Sequence, residues 1–171
     1  IRDNVMLGLQ IRRDRDDTHR KHVETLLERY GLAEFAEKRP DQLSGGMRQR
    51  CALIRTLATD PDILLLDEPT KGLDAEFKQV FAQILRTLLQ RGVAVLMVSH
   101  DVAFCAKYAH RCALVFDGAI TAEGTPRDFF SGNSFYTTAA NRIARNVLPR
   151  AVTAEDVIAA CGGVLPPEPP M

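Results

Sequence analysis

The chain has 171 residues, of which 46% are hydrophobic, and its 22 basic and 22 acidic side chains leave no net charge. That is ample apolar material for the core of one soluble globular unit. Balanced charge, with the arginines of "IRRDRDDTHR" interleaved with Asp14, Asp16 and Asp17, excludes the one-signed patch a nucleic acid would need. No apolar run approaches the roughly 20 residues of a membrane span, and no signal-peptide pattern precedes the first helix. The four cysteines, Cys51, Cys105, Cys112 and Cys161, form no CxxC pair, which speaks against a metal site or disulfide framework and for a reducing cytoplasm.

Along the chain, helices alternate with short apolar strands. Val23, Leu26, Leu27 and Tyr30 recur at helical spacing and are closed by Gly31. After "DQLSGG", Met47, Cys51, Ile54 and Ala58 keep one face apolar until Asp60-Pro61 stops the helix. Ile63 to Leu66 then reads as a strand buried on both faces of a parallel sheet, because its apolar run is continuous rather than alternating. Phe77, Val80, Phe81, Ile84 and Leu88 mark a helix ended by Gly92, and Val93 to Val98 a second buried strand, so strand, helix and strand make a parallel crossover. "CALVF" and "AITAEG" flank Asp117-Gly118, a type I′ hairpin signal that finishes the sheet with an antiparallel pair. In "TPRDFF", Thr125 is a natural N-cap, Pro126 suits the first helical position, and Asp128 gives a capping-box-like arrangement. From Asn133 to Gly162 the pattern is helical, with Thr153 as a second N-cap, and "PPEPP" closes the chain as a linker or terminus.

Four constellations carry chemistry. In "LSGG", Gly45 and Gly46 let backbone amides approach a phosphate, Ser44 adds a hydroxyl, and the helix that follows points its positive dipole end at the same place. A capped turn with incidental glycines has the same letters. In "ILLLDEP", Asp67 and Glu68 stand at the carboxyl end of a buried strand, the edge of an α/β sheet where ligands bind. Asp67 can hold Mg²⁺ through water, and Glu68 can orient or deprotonate an attacking water. "TKGLD" puts Gly72 and Asp74 in a tight turn at the start of the next helix. His100 in "LMVSHD" ends the second strand, where an imidazole can donate to a phosphate or place a water, although a lone histidine is more often structural. A phosphate cradle, a carboxylate pair and a histidine in one α/β pattern jointly describe phosphoryl transfer.

The order "LSGGMRQR", "ILLLDEP", "GLD", "SHD" resembles the ATP-binding cassette (ABC) ATPases across nearly the whole chain. The resemblance implies an α/β, P-loop NTPase-like fold, present in part, with a parallel sheet core, a helical signature subdomain and C-terminal helices. Residues 1–60 would form the signature subdomain, 61–131 the C-terminal part of the ATPase core, 132–165 a helical segment and 166–171 a proline-rich tail. It implies that Ser44, Gly45 and Gly46 are signature residues that contact a nucleotide held by the opposite cassette. By the same resemblance Asp67 is the Walker B aspartate, Glu68 the catalytic base, Asp74 the D-loop aspartate and His100 the switch, with ATP and Mg²⁺ as ligands. Met47 stands where the family usually has glutamine.

A phosphate-binding loop of the form GxxxxGK[ST] is not found, since none of the five lysines, Lys21, Lys38, Lys71, Lys78 and Lys107, follows a glycine. The opening "IRDNVMLGL" looks like the segment after the Q-loop, so the reading expects the phosphate loop upstream and the isolated chain to be inactive. "LVFDGAITAEGTPRDFF" and "SGNSFYTTAANRIARNVLP" resemble importer ATPases, particularly those of energy-coupling factor transporters, and "EPTKGLDAEFK" with the "NSFYTTAANRIAR" tail resembles the second half of a fused tandem form. That implies a second cassette, as homo- or heterodimer or fused in the same chain, a transmembrane coupling subunit and a substrate-binding membrane subunit for a vitamin or metal ion. No nucleic acid partner is implied, and the location would be peripheral on the cytoplasmic face of the membrane. Two alternatives are a cassette fragment that only completes a partner's ATP site and a soluble ABC-type translation factor. Zero net charge disfavours the latter.

Overall fold

A computed structural model describes residues 1–11 and 17–165, so the proline-rich tail 166–171 and most of the interleaved charged run lie outside the described residues. The chain divides into two compact units, Ile1–Val98 and Ser99–Met171.

The first unit opens with helices α1 (Arg2–Ile11), α2 (Asp17–Arg29) and α3 (Gly45–Leu57). They pack on one another because each carries an apolar stripe at helical spacing: Val5 and Leu9 on α1, Val23 and Leu27 on α2, Ile54 and Leu57 on α3, all buried. Gly31, at φ 66°, turns the chain out of α2 as the sequence pattern requires. Fully buried Ile54 illustrates the energetics, since truncating such a side chain to alanine costs about 2–5 kcal/mol.

Strand β1 (Ile63–Asp67), helix α4 (Ala75–Gln90) and strand β2 (Ala94–Val98) follow as the expected crossover. The two strands pair in parallel, from Ile63 opposite Ala94 to Asp67 opposite Val98. Helix α4 turns Phe77, Phe81, Ile84, Leu85 and Leu88 inward and packs on β2. One expectation changes here. Leu64 is fully buried, but Ile63, Leu65, Leu96 and Val98 on the opposite face are 61–69% exposed. The continuous apolar run has the composition of a doubly covered strand, yet among the described residues only one face of this pair is covered.

The second unit contains α5 (Val102–Tyr108), β3 (Cys112–Phe116), β4 (Ala119–Gly124), α6 (Pro126–Ser131), α7 (Ala139–Ala144) and α8 (Ala154–Ala160). The hairpin forms around Asp117 and Gly118, both at positive φ (49° and 74°), as a type I′ turn demands. It makes a two-stranded sheet of its own rather than extending the parallel pair. Ala106, Phe130 and Val152 form its small core. The helical pattern read from Asn133 to Gly162 resolves into two short helices joined by turns. Asn141 explains the interruption. Fully buried, it accepts a hydrogen bond from the Thr137 hydroxyl and donates to the carbonyls of Pro149 and Ala151, so its side chain holds backbone that a continuous helix would have satisfied internally.

Candidate functional site

The site grows from the N-terminus of α3. Ser44 has extended backbone and caps the helix, its hydroxyl accepting from the Met47 amide at 3.3 Å. The two glycines are the first helical residues, and among the described residues their amides have no hydrogen-bond partner, because the Ser44 cap takes only the Met47 amide. Their surroundings differ. A Cβ on Gly45 would meet nothing within 4 Å, whereas one on Gly46 would come within 3.0 Å of the Gly72 carbonyl oxygen. Gly45 therefore faces open space, and Gly46 is the point at which α3 touches the loop between β1 and α4.

That loop carries the acids. Asp67 ends β1 and is exposed. Glu68 leaves the strand at φ 46°, left-handed backbone that is uncommon for a residue other than glycine. Its amide donates to Val98 of β2 at 2.9 Å, and its carbonyl accepts from the Lys71 amide at 3.1 Å and from Gln49 Nε2 at 3.4 Å. Gly72, at φ 75°, completes the turn, and Asp74 caps α4 through Oδ1, which accepts from the Phe77 amide at 2.7 Å. Arg50 reaches Asp74 Oδ2 at 3.7 Å while its guanidinium lies 3.7 Å from the centroid of the Phe77 ring.

The structure thus brings Ser44, Gly45 and Gly46, on α3, to the same loop as Glu68 and Asp74. His100 belongs to the second unit, where it is exposed; its carbonyl accepts from the Val102 amide, and the next residue, Asp101, caps α5. Gln49 and Arg50 are the residues the motif reading passed over. The signal was present, because they stand three and four positions after Gly46 and so share its helix face.

Chemically, an exposed carboxylate at a strand end, a second on the next residue and a helix start with free amides can serve a phosphate ester and a divalent ion. Among the described residues no group of three or more His, Cys, Asp or Glu side chains could enclose a metal. Asp67 offers one carboxylate, a donor set that suits Mg²⁺, which keeps water and phosphate oxygens in its shell instead of requiring a protein cage.

Residues 1–71 match the ABC transporter family. A putative ABC transporter ATP-binding protein of Bacillus cereus is 46% identical over 139 residues, 81% of this chain and 25% of that protein. The chain has the fold of the ABC ATPase cassettes, in part. A glutamate transport ATP-binding protein of Corynebacterium efficiens is 39% identical to this cassette over 77% of the chain and 54% of its own length. A sulfate/thiosulfate import ATP-binding protein of Mycobacterium bovis is 42% identical over 76% and 37%. The cassette therefore spans between a quarter and about half of these relatives. Among solved structures, a bacterial ABC transporter cassette determined as a dimer is 36% identical with a TM-score of 0.59, covering 63% of this chain and 47% of that one. A nucleotide-free cassette at 20% identity, with a TM-score of 0.62, over 72% of this chain and 54% of that one, shares the fold. No helix among the described residues is long and apolar enough to cross a membrane.

Proposed function

We propose that this chain supplies the signature and Walker B portions of an ATP-hydrolysing subunit of an ABC importer. The observation that carries the reading is the convergence of the α3 N-terminus with the loop that bears Glu68 and Asp74. In this reading Glu68 accepts the proton of the attacking water, and Asp67 carries the water-mediated Mg²⁺. Bound Mg²⁺ supplies positive charge against the phosphate oxygens. Ser44 and the amides of Gly45 and Gly46 donate to the nucleotide of a second cassette, for which the open space beside Gly45 leaves room. Asp74 fixes the D-loop by capping α4, and His100 serves as the switch that senses the phosphate.

Import is favoured by a relative named for sulfate/thiosulfate import, beside one named for glutamate transport. Those names leave the cargo of this chain open between such anions and the vitamin or metal ion of an energy-coupling factor system. The fused tandem form is supported by length. The matched stretch is 25% of the Bacillus relative and 54% of the glutamate relative, so the former is more than twice as long and has room for two cassettes. A membrane coupling subunit, a substrate-binding membrane subunit and a place on the cytoplasmic face of the membrane follow from the same reading.

The test is Glu68→Gln in the full-length protein with its partner cassette. The amide keeps the shape but cannot take a proton, so hydrolysis should fall by roughly 10²- to 10⁴-fold with ATP binding retained. Single-turnover rates near wild type would remove Glu68 from this role. Retained rates at the partner's site alone would favour a fragment that only completes that site.

A further inference from the structure

Glu68 is held in a conformation its sequence disfavours. It has φ 46°, and it precedes Pro69, whose ring pushes the residue before it towards extended backbone. Such a residue persists only where its surroundings over-determine it. Two of its backbone partners come from its own strand pair and loop: the Val98 carbonyl that receives its amide at 2.9 Å, and the Lys71 amide that donates to its carbonyl at 3.1 Å. The third comes from another element, the Gln49 side chain of α3, whose Nε2 donates to the same carbonyl at 3.4 Å. On the same helix face, Gly46 abuts the Gly72 carbonyl and Arg50 pairs with Asp74. Helix α3 therefore grips the loop at its start, its middle and its end.

We propose that Gln49 is a positioning residue for Glu68, tying the backbone that aims this carboxylate to the helix whose N-terminus presents Ser44, Gly45 and Gly46. The inference rests on the proposed function and deepens it. A partner's nucleotide that engages the start of α3 presses on the element that holds Glu68, so the state of one ATP site reaches the carboxylate of the other through a side chain within this chain. Loss of the Gln49 donor frees the Glu68 carbonyl to rotate towards the extended conformation that Pro69 favours, and the Cβ direction rotates with it. Nothing in this requires Gln49 to touch nucleotide, so ATP affinity is expected to stay while turnover falls.

The experiment compares Gln49→Met, Gln49→Glu and Gln49→Lys in the full-length protein by steady-state ATP hydrolysis, with Glu68→Gln as the reference. Met and ionised Glu keep the length but have no donor; kcat should fall at least tenfold with KM for ATP within twofold. Lys keeps a donor of similar reach and should recover most of kcat. Equal kcat in all three variants, or losses that track thermal stability rather than the donor, would overturn the proposal. If Gln49→Met does not fold, the charged pair, compatible with this half-exposed position, decides the matter by the same donor criterion. A double variant adds a readout: with Glu68→Gln in place, Gln49→Glu should cost little more, whereas fully additive losses would defeat the coupling. Hydrolysis surviving Glu68→Gln would bring down the proposed function itself. Hydrolysis abolished by Glu68→Gln but untouched in Gln49→Met would bring down this inference alone.

Discussion

The adjacent glycines of the signature stretch serve different physical ends. At Gly46 a methyl group would sit 3.0 Å from the Gly72 carbonyl oxygen, and that oxygen belongs to a backbone turn with little freedom to retreat. Replacing glycine in a helix by alanine gains about 0.5–1 kcal/mol, whereas overpacking costs typically about 1–3 kcal/mol. Gly46→Ala should therefore lose about 1 kcal/mol in urea denaturation. Gly45→Ala meets open space and should be neutral or slightly stabilising, yet it should impair hydrolysis at a partner's site if that space is for phosphate. Equal stability changes in the two variants would contradict the geometry. Met47, which replaces the family's usual glutamine, contributes its backbone amide to the Ser44 cap. A backbone contact is indifferent to the side chain, and Met47→Gln should leave the hydrolysis rate within about twofold, well inside the loss attached to removing a catalytic base.

At the scale of elements, what was legible in the sequence was what local chemistry decides. Asp117-Gly118 can supply two positive φ values in succession, and the hairpin forms there. Thr125 and Thr153 cap α6 and α8 because each hydroxyl accepts from an amide three residues on. Features that depend on partners distant in sequence were not legible. The bulge between Leu114 and Val115 and the break in the helical pattern at Asn141 belong to this class. So does the role of Asp156. Partial burial pushes its carboxyl up, but the Val152 amide, the Arg127 guanidinium and the Thr153 amide outweigh burial and hold it down at about 2. With the folded value below the ordinary aspartate range, the stability it contributes is complete above about pH 4 and is lost as pH falls towards 2. Asp156→Asn should lower stability at pH 7 by about 1 kcal/mol, the order of a lost cap or ion pair, and the difference from wild type should close as pH approaches 2. Denaturant midpoints measured from pH 7 down to pH 2 would show it, and a gap independent of pH would contradict the assignment.

At the scale of the whole molecule, the four motifs were legible because their chemistry is written in consecutive letters. How they meet was not, since the loop carrying Glu68 joins α3 through Gln49 and Arg50, whose types reveal no partner. The exposed face of Ile63, Leu65, Leu96 and Val98 was misread for a related reason, as composition records that a strand suits burial and not what covers it. The same separation between residues and assembly governs nucleotide binding by these 171 residues as a polypeptide on their own. Asp67 and Glu68 bring two negative charges to the place where phosphates would lie. What offsets phosphate charge in nucleotide sites of this kind is a loop of backbone amides with a lysine, and none of the five lysines follows a glycine. The amides of Gly45 and Gly46 offer a partial dipole worth about 0.3–1 kcal/mol at an exposed helix start, too little to hold a polyanion against two carboxylates. Mg²⁺ held by Asp67 alone would lack the phosphate-loop hydroxyl and lysine that share the load in such sites. Calorimetric titration of the 171-residue polypeptide with ATP and Mg²⁺ should therefore give no saturable binding in the micromolar range and no turnover. Tight binding would reveal a phosphate site elsewhere in the chain and would overturn the assignment of Ser44, Gly45 and Gly46 to a nucleotide held by another cassette.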